Sequence, residues 1–427
     1  MRVLFKNDQP DLRSVSSVID LTALDVISPG SPGYEACARS SAVVRCHSVP
    51  DVVQVVACAA ATGRQVMPRG GGHCFVDRYP ADGIVADLSG MNQIVGDDNG
   101  VAVIGAGANL GAVYATLHES GRTIPAGCGD TVGIAGLTLG GGIGLLGRRY
   151  GLTCDRLVGA QVVLADGSVV ECDENRESEL FWALRGAGGG QFGIVTELRF
   201  ATVPEPSVCR IEGNWTEGDL IQAWQDFAPD APDEMTVNLT VQEGRATLFG
   251  ASALPPAETE SLLREITARA GVLYAIDIRL DVPYSMVKPT FSTLDPDQGA
   301  RRVRSEFFAR TMSERTTAGL LQRLEGDRRL AFTAMGGAYN RVAEGDTAFA
   351  HRGERFLLEQ VAGPGDPWVD EAWSTAHADG SGRVYPNFPD LALENPGLAY
   401  HAGNRARLAA LKKARDPHRI FDFPQAL

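Results

Sequence analysis

The hydrophobic pattern predicts a strand–helix–strand unit near the start of the chain. Residues 51–62 carry apolar side chains at the spacing of one helix face. These are Val52, Val55, Val56 and Ala59. Short apolar segments at residues 43–44, 65–68 and 84–88 are typical of strands. We therefore expect a βαβ-type unit here, preceded by a loop at residues 29–33 that is rich in proline and glycine.

Later segments alternate between helical and strand periodicity. Residues 157–170 predict a hairpin, and residues 194–200 predict a further strand. Beyond Pro204, helical patterns cover residues 218–227, 257–270, 314–324 and 367–378. Strand patterns cover residues 235–242, 246–251, 331–339 and 356–361. This alternation predicts a second domain of strands and amphipathic helices.

Composition and charge narrow the classes of function. The chain has 427 residues, of which 44% are hydrophobic and 22% charged, as in ordinary globular proteins of two or more domains. Its net charge of −14 disfavours nucleic acids and anionic membranes, because both attract a basic surface. No apolar run is long enough to span a bilayer, and residues 1–8 lack the apolar region of a secretory signal. We therefore expect a cytoplasmic monomer or homodimer whose partner is a small molecule.

The cysteines do not predict a metal site or a disulfide framework. All eight lie in the first half of the chain, and none form a C-x-x-C pair. A chain of this size has no need of disulfides for stability. We expect reduced, mostly buried thiols.

A loop of three consecutive glycines follows the first predicted unit, at Arg69-Gly70-Gly71-Gly72-His73. Such glycines let the backbone approach a ligand closely and adopt dihedral angles that side chains forbid. Inward-turned amide groups form a concavity for anions, and an adjacent arginine complements phosphate charge. A histidine at the end of the loop is a candidate nucleophile, although it can equally be a loop residue that only hydrogen-bonds.

A second glycine-rich segment spans residues 125–155. Ten glycines lie within it, and eight of them fall between residues 127 and 144, namely Gly127, Gly129, Gly133, Gly136, Gly140, Gly141, Gly142 and Gly144. This density argues against a regular element within the segment. A backbone with so few side chains can lie flat against a planar ligand and offer its amide groups to it.

Residues 101–111 offer a competing interpretation, a Rossmann dinucleotide site. The segment is typical of a strand, a glycine turn and the start of a helix at residues 111–117. The Rossmann fingerprint requires glycine or alanine three residues after its second glycine, where this chain has Leu110. The acidic ribose partner expected about 20 residues later is also misplaced, since Glu119 and Asp130 straddle that distance. We therefore do not expect a Rossmann site.

Together the glycine motifs resemble the FAD-linked oxidases of the vanillyl-alcohol oxidase/p-cresol methylhydroxylase (PCMH) superfamily, in their berberine-bridge-enzyme-like branch. The first loop is similar to that family's R-x-G-G-H. Residues 125–155 resemble P-A-G-x-C-x-T-V-G-x-G-G-x-x-x-G-G-G-x-G followed by R-K-Y-G-L-x-x-D. Residues 180–196 resemble L-F-W-A-L-R-G-G-G-G-N-F-G-V-V-T, and residues 385–390 resemble Y-x-N-Y-x-D. Residues 400–421 resemble the family's closing motif.

The resemblance implies an FAD whose pyrophosphate is bound by the first loop and whose isoalloxazine ring is covalently bonded to His73. It implies no metal. The cofactor-binding residues that it implies are Arg69, Gly70, Gly71, Gly72, His73, Cys128, Gly129, Thr131, Val132, Gly133, Gly136, Gly140, Gly141, Gly142, Gly193, Ile194, Val195, Asn387 and Asn404.

Two positions qualify this expectation. Family members with two covalent bonds carry a cysteine three residues before the valine of T-V-G, where this chain has Gly129. Its Cys128 stands one residue earlier, which usually turns a side chain away, so we expect a single bond through His73 and a Cys128 packed as a small apolar residue. Val132 corresponds to a position near the oxygen-reactive flavin carbon, where valine goes with oxidase behaviour, and it can equally be an ordinary core residue.

The resemblance also implies an α+β fold in three segments. Residues 1–203 are expected to form a two-lobed FAD-binding domain of PCMH type. Residues 204–382 are expected to form an inserted substrate domain, an antiparallel sheet covered by helices. Residues 383–427 are expected to return to the FAD-binding domain.

The implied activity is an FAD-dependent oxidase. It would transfer a hydride from an alcohol- or amine-type carbon of a small natural-product molecule to flavin and reduce O2 to H2O2. Tyr385 is the candidate proton acceptor, from the Y-x-N motif, although it can equally be a packed aromatic residue, and Phe388 stands where the family often has a second tyrosine. Two alternatives stay open. One is a dehydrogenase or oxidative cyclase of the same fold with poor O2 turnover, and the other is a flavin-carrying binding protein without a catalytic base.

Overall fold

The computed structural model describes residues 21–427 except 29, 32–33, 35–36, 38–39, 98, 217 and 288–300. The loop expected at residues 29–33 therefore lies mostly outside the described residues. Among the residues described, no helix combines the length and the apolar character that crossing a bilayer requires.

The first lobe is a four-stranded sheet with one helix. Its strands are β1 (Asp25–Val26), β2 (Ala42–Arg45), β3 (Val66–Arg69) and β4 (Ile84–Asp87). They are ordered β1–β2–β4–β3, and β4 is parallel to both of its neighbours. Helix α1 (Val49–Thr62) connects β2 to β3 and ends at Gly63, whose φ of 64° is left-handed. The predicted βαβ-type unit is confirmed.

The second lobe contains a five-stranded antiparallel sheet. Strands of this part of the chain are β5 (Ile94–Gly96), β6 (Val101–Gly105), β7 (Arg122–Thr123), β8 (Leu157–Val163), β9 (Val169–Cys172), β10 (Ile194–Ala201) and β11 (Val203–Pro204). The main sheet has the order β5–β6–β10–β8–β9, and β7 pairs with β11 separately. Four helices lie between these strands along the chain, namely α2 (Leu110–Glu119), α3 (Ile134–Leu139), α4 (Gly147–Tyr150) and α5 (Ser178–Leu184). The predicted hairpin is β8–β9.

Helices α3 and α4 correct one expectation, since the glycine-rich segment 125–155 was expected to hold no regular element. Ile134 and Leu139, at the two ends of α3, are buried in the core that the two lobes share. Their burial outweighs the cost of glycine within the helix, about 1 kcal/mol at Gly136. Tertiary packing thus overrides local propensity here.

The third part is a seven-stranded antiparallel sheet. Its strands are β12 (Ser207–Trp215), β13 (Met235–Gln242), β14 (Arg245–Ser252), β15 (Ile276–Pro283), β16 (Arg302–Phe308), β17 (Arg329–Ala334) and β18 (Phe356–Ala362), in the order β15–β12–β14–β13–β17–β18–β16. Helices α6 (Leu220–Phe227), α7 (Pro256–Arg269), α8 (Glu314–Leu321) and α9 (Trp368–His377) pack with it in one apolar cluster. The predicted α+β class, with an antiparallel sheet covered by helices, is confirmed.

Two differences from the predicted strands have local causes. The strand expected at residues 331–339 ends at Ala334, because Gly336 and Gly337 adopt left-handed φ values of 85° and 56°. Strands β12, β15 and β16 were not predicted. In β16 the buried residues include Arg304 and Glu306, which break the apolar pattern of a core strand.

The C-terminal residues pack against the first two lobes. Helices α10 (Pro396–His401) and α11 (Arg405–Arg415) precede a tail whose Phe421 lies in the lobes' core. Buried Lys412 donates to the Gln191 and Phe421 carbonyls, each at 2.6 Å, and pairs with Asp416 at 2.8 Å. These contacts tie the end of the chain to the glycine segment that follows α5.

Candidate active site

A cavity of about 820 Å³ lies where the lobes, the large sheet and the C-terminal segment meet. Residues 67–79 of the first glycine loop and residues of the second glycine segment from Gly127 to Leu145 line one part of it. Side chains of the seven-stranded sheet, residues 385–389 and residues between Gly189 and Val195 line further parts of it. Its volume is that of a pocket for a large organic ligand.

Arg69 orders the first loop from beneath. Its Nη1 lies 2.8 Å from Oδ2 of Asp87, a carboxylate that is buried at the end of β4. Its Nη2 would lie 2.8 Å from a Cβ placed on Gly72, where φ is 74°. The guanidinium charge is therefore already paired within the protein. Its contact with a phosphate stays a prediction.

The two glycine segments touch at Gly71 and Gly133. A Cβ on Gly71 would stand 2.8 Å from the Cα of Gly133, and one on Gly133 would stand 3.0 Å from the Cα of Gly71. Neither distance leaves room for a side chain, because the obstructing atoms are backbone. Because neither position carries a side chain, the two backbones can lie in direct contact at the cavity wall.

His73 leaves this crossing with its ring on the cavity wall. Its Nε2 lies 2.9 Å from Oγ1 of Thr131, which is 58 residues later in the sequence. Thr131 itself is not among the lining residues, so the structure gives it a contact with His73 in place of one with the cavity. The predicted nucleophile and the second glycine segment are therefore joined side chain to side chain.

Most of the predicted cofactor-binding residues do line the cavity. They are Arg69, Gly70, Gly71, Gly72, His73, Cys128, Gly129, Val132, Gly133, Gly136, Gly193, Val195 and Asn387. Cys128 also packs against the apolar cluster of Leu145 and Leu146. The two glycine segments and the C-terminal Y-x-N motif are thus brought together around one space.

Five predicted cofactor contacts lie behind the wall instead. Gly140, Gly141 and Gly142 pack against the side chains of Asn387, Phe349 and Thr153 respectively. Ile194 is fully buried in the core of the lobes. The Asn404 side-chain amide donates to the carbonyl oxygens of Glu344 and Thr347, at 2.9 and 3.1 Å. These residues support the loops around the cavity and do not reach it, because their own packing occupies them.

Tyr385 contributes its ring to the cavity while its hydroxyl oxygen points to the glycine segment. That oxygen accepts the amides of Gly142 at 3.0 Å and Ile143 at 3.2 Å, and the side-chain amide of Asn387 at 2.9 Å. Burial raises the pKa of Tyr385 to about 12, against the opposing effect of these donors. A neutral phenol with its oxygen so occupied is poorly suited to accept a substrate proton.

The sheet supplies cavity residues that the motifs did not reveal. They are Asn238 on β13, Thr333 on β17, and Leu357 and Glu359 on β18, with Arg301 beside them. Alternation on β13 gave one signal, since Thr236, Asn238, Thr240 and Gln242 are polar at every second position. Glu359 had no comparable signal. Among the described residues, no group of three or more His, Cys, Asp or Glu side chains is placed to hold a metal ion.

Comparison with known proteins agrees with this geometry. The sequence matches the family described as FAD binding domain over residues 40–173 and the family described as berberine and berberine like over residues 384–427. The uncharacterized FAD-linked oxidoreductase YgaK of Bacillus subtilis is 32% identical over 410 residues, which cover 90% of each protein.

Solved structures share the fold along almost the whole chain. BBE-like 1 of Physcomitrella patens is 26% identical with a TM-score of 0.85, covering 94% of this chain and 96% of that one. A glucooligosaccharide oxidase from Acremonium strictum, described with 6-S-cysteinyl, 8α-N1-histidyl FAD, has a TM-score of 0.83 at 24% identity, covering 96% and 98%. The predicted cofactor, FAD, and the predicted oxidoreductase class are confirmed. With a relative 32% identical over nine-tenths of both proteins, the chain belongs to the berberine-bridge-enzyme-like FAD-linked oxidoreductases.

Proposed function

We propose that the protein is a covalent FAD oxidase, with the flavin bonded through His73 and a small-molecule alcohol or amine as substrate. The observation that carries the proposal is the position of His73, on the cavity wall at the crossing of two glycine segments. The histidyl FAD of the A. strictum oxidase supports the linkage. Cys128 lines the same cavity, but its shift by one residue from the family position leads us to propose one bond and not two.

The residues of the chain fit FAD as an elongated, partly planar ligand. Apart from its chain neighbours and the backbone of its own helix, nothing lies within 4 Å of the place where a Cβ on Gly136 would stand, so the wall is open there. The backbone of residues 70–72 would bind the pyrophosphate, and that of residues 127–136 would lie against the ring. When bound, FAD accepts a hydride from a substrate carbon and passes two electrons to O2. Val132 on the wall favours access of O2 in this proposal.

The proton acceptor that we propose is Glu359. Asp77 and Glu359 are the carboxylates among the cavity-lining residues, and Glu359 is the one on the large sheet, with Asn238 and Thr333. Carboxylates are ordinarily ionised at neutral pH and need no further activation to accept a proton. The Tyr385 hydroxyl is held by three N–H donors and would have to ionise first. Tyr385 is then a residue that positions the glycine segment.

Replacing Glu359 with Gln should therefore slow reduction of the flavin by substrate about 100-fold to 10,000-fold, the usual range for loss of a general base. Replacing Tyr385 with Phe should slow it less than about tenfold, because the ring and its packing stay. Anaerobic stopped-flow absorbance of the two variants measures both rates, with flavin content and thermal stability as controls. A larger loss in Tyr385→Phe than in Glu359→Gln would return the role of base to the tyrosine.

The substrate class that we propose is a small natural-product alcohol or amine. A short sugar is the second candidate, because the sheet presents an amide, a hydroxyl and a carboxylate to the cavity, and one structural neighbour is a glucooligosaccharide oxidase. Release of H2O2 with panels of alcohols, amines and oligosaccharides identifies the class. Flavin reduction without peroxide would favour a dehydrogenase or cyclase. A flavin that no compound reduces would favour a binding protein.

We also propose the domain boundaries and the cellular location of the protein. The seven-stranded sheet begins at Ser207 and ends at Ala362, which supports an inserted substrate domain at residues 204–382 between the FAD-binding segments 1–203 and 383–427. None of the eight cysteines forms a disulfide, and six are buried. Cysteines outside disulfides support a cytoplasmic location, which cell fractionation can check.

A further inference from the structure

The side chain of Thr131 contacts the ring of His73, which lies on the cavity wall. Its Oγ1 lies 2.9 Å from Nε2 of His73. At that distance the two atoms are hydrogen-bonded, and a ring nitrogen engaged in this bond is not available to a carbon atom. Nδ1 is then the ring nitrogen left to form a bond. We propose that Thr131 is a positioning residue for flavin attachment, which holds the imidazole so that Nδ1 is the nucleophile; this rests on the covalent link proposed above.

The backbone around Thr131 is fixed on both sides, so the contact is preorganised. The Gly111 amide donates to the Asp130 carbonyl and the Leu110 amide to the Val132 carbonyl, each at 2.9 Å. Both donors belong to the first turn of α2. On the other side, the loop that carries His73 is held by the contact of Gly71 with Gly133. The two side chains therefore meet between two anchored backbones.

A hydroxyl is suited to both states of the ring. A neutral imidazole has one N–H donor and one acceptor nitrogen, and a hydroxyl can donate or accept. Before attachment, Nε2–H donates to Oγ1 and Nδ1 keeps its lone pair. After attachment, Nε2 is the acceptor and the Thr131 hydroxyl donates to it. Rotation of one O–H bond accommodates the change without movement of heavy atoms.

The bond-forming step balances with O2 as the oxidant. Nδ1 of His73 forms a bond to the ring methyl carbon of FAD, and one methyl C–H bond breaks. The methyl proton and the Nε2 proton are released, the latter towards Thr131, whose side chain is exposed to solvent. Two electrons remain on the flavin, and O2 takes them up with two protons as H2O2. O2 is the oxidant of the proposed activity, so no further reactant is needed.

Thr131→Val keeps the shape of the side chain and removes the hydroxyl, while Thr131→Ser keeps the hydroxyl. Each apoprotein is incubated with FAD in air, and the covalent fraction is followed by mass spectrometry of the denatured protein. We expect attachment in Thr131→Val to be at least tenfold slower than in wild type, with unchanged thermal stability and unchanged non-covalent FAD binding by the folded protein. Thr131→Ser should attach FAD within about threefold of the wild-type rate. Asp130→Asn, which changes a neighbour that makes no hydrogen bond to His73, should match wild type.

Wild-type attachment rates in Thr131→Val would overturn the inference. So would failure of Thr131→Ser to restore attachment, or loss of non-covalent FAD binding in Thr131→Val, because either result indicates a purely structural role. The wild-type sample separates this inference from the function on which it rests. A wild-type protein that holds FAD without a bond contradicts the covalent link itself.

Discussion

A single methyl group at Gly71 will weaken FAD binding by about tenfold to 100-fold. In Gly71→Ala the new Cβ would stand 2.8 Å from the Cα of Gly133 and 2.9 Å from the carbonyl oxygen of Thr131. The obstructing atoms are backbone, so the two glycine segments must separate. Overpacking of this kind costs about 1–3 kcal/mol, and each 1.4 kcal/mol is a factor of ten in affinity. Titration of the apoprotein with FAD measures the effect.

Gly70→Ala is the matched control for this variant. Its Cβ would make an ordinary contact of 3.5 Å with the Ala106 carbonyl oxygen. We expect Gly70→Ala to keep the melting temperature of the wild-type apoprotein and Gly71→Ala to lower it. Equal melting temperatures and equal FAD affinities in the two variants would show that the segments do not depend on contact at Gly71.

Arg148→Met will lower the free energy of unfolding by about 3–5 kcal/mol, the range for breaking a buried charged network. Arg148 is buried, and its guanidinium donates to four backbone carbonyls in the part of the chain that forms the seven-stranded sheet. Its partners are the carbonyls of Pro229, Ala231, Met235 and Met335. Burial lowers the pKa of Arg148, yet the carbonyl oxygens keep the charged form solvated in place of water. Without it, four buried acceptors lose their donor.

Arg149→Met is the control on the same helix. Arg149 is only half-buried and lies over the ring of Tyr150, 5.1 Å from its centroid. Its replacement should cost less than about 1 kcal/mol. Urea unfolding of both variants compares the two losses. A loss in Arg148→Met no greater than in Arg149→Met would mean that α4 does not fasten the large sheet to the glycine segment.

The sequence predicted elements well where one periodicity governed them. β13 spans Met235–Gln242 as predicted, because its residues alternate between the helix-covered face and the cavity face. β16 escaped prediction because Arg304 and Glu306 are buried within it. Their partners are distant in sequence: Asp390 lies 2.7 Å from Arg304, and His377 lies 2.9 Å from Glu306. Such a strand can be recognised only once its partners are in place.

The same distinction divides the candidate site. The part of the cavity formed by the glycine segments was predictable, because consecutive glycines such as Gly70 to Gly72 indicate close approach of the backbone to a ligand. The part formed by the seven-stranded sheet was not predictable, because Asn238, Thr333 and Glu359 lie on three strands and come together only through the register of the sheet. The Thr131–His73 contact was hidden for the same reason, since 58 residues separate its partners.

The mass of the denatured protein tests the central claim most directly. We expect wild type to carry the added mass of one FAD after denaturation, Cys128→Ala to keep it, and His73→Ala to lose it while still binding FAD when folded. An FAD adduct that persists in His73→Ala would contradict the account, as would a wild-type protein that releases all of its flavin on denaturation.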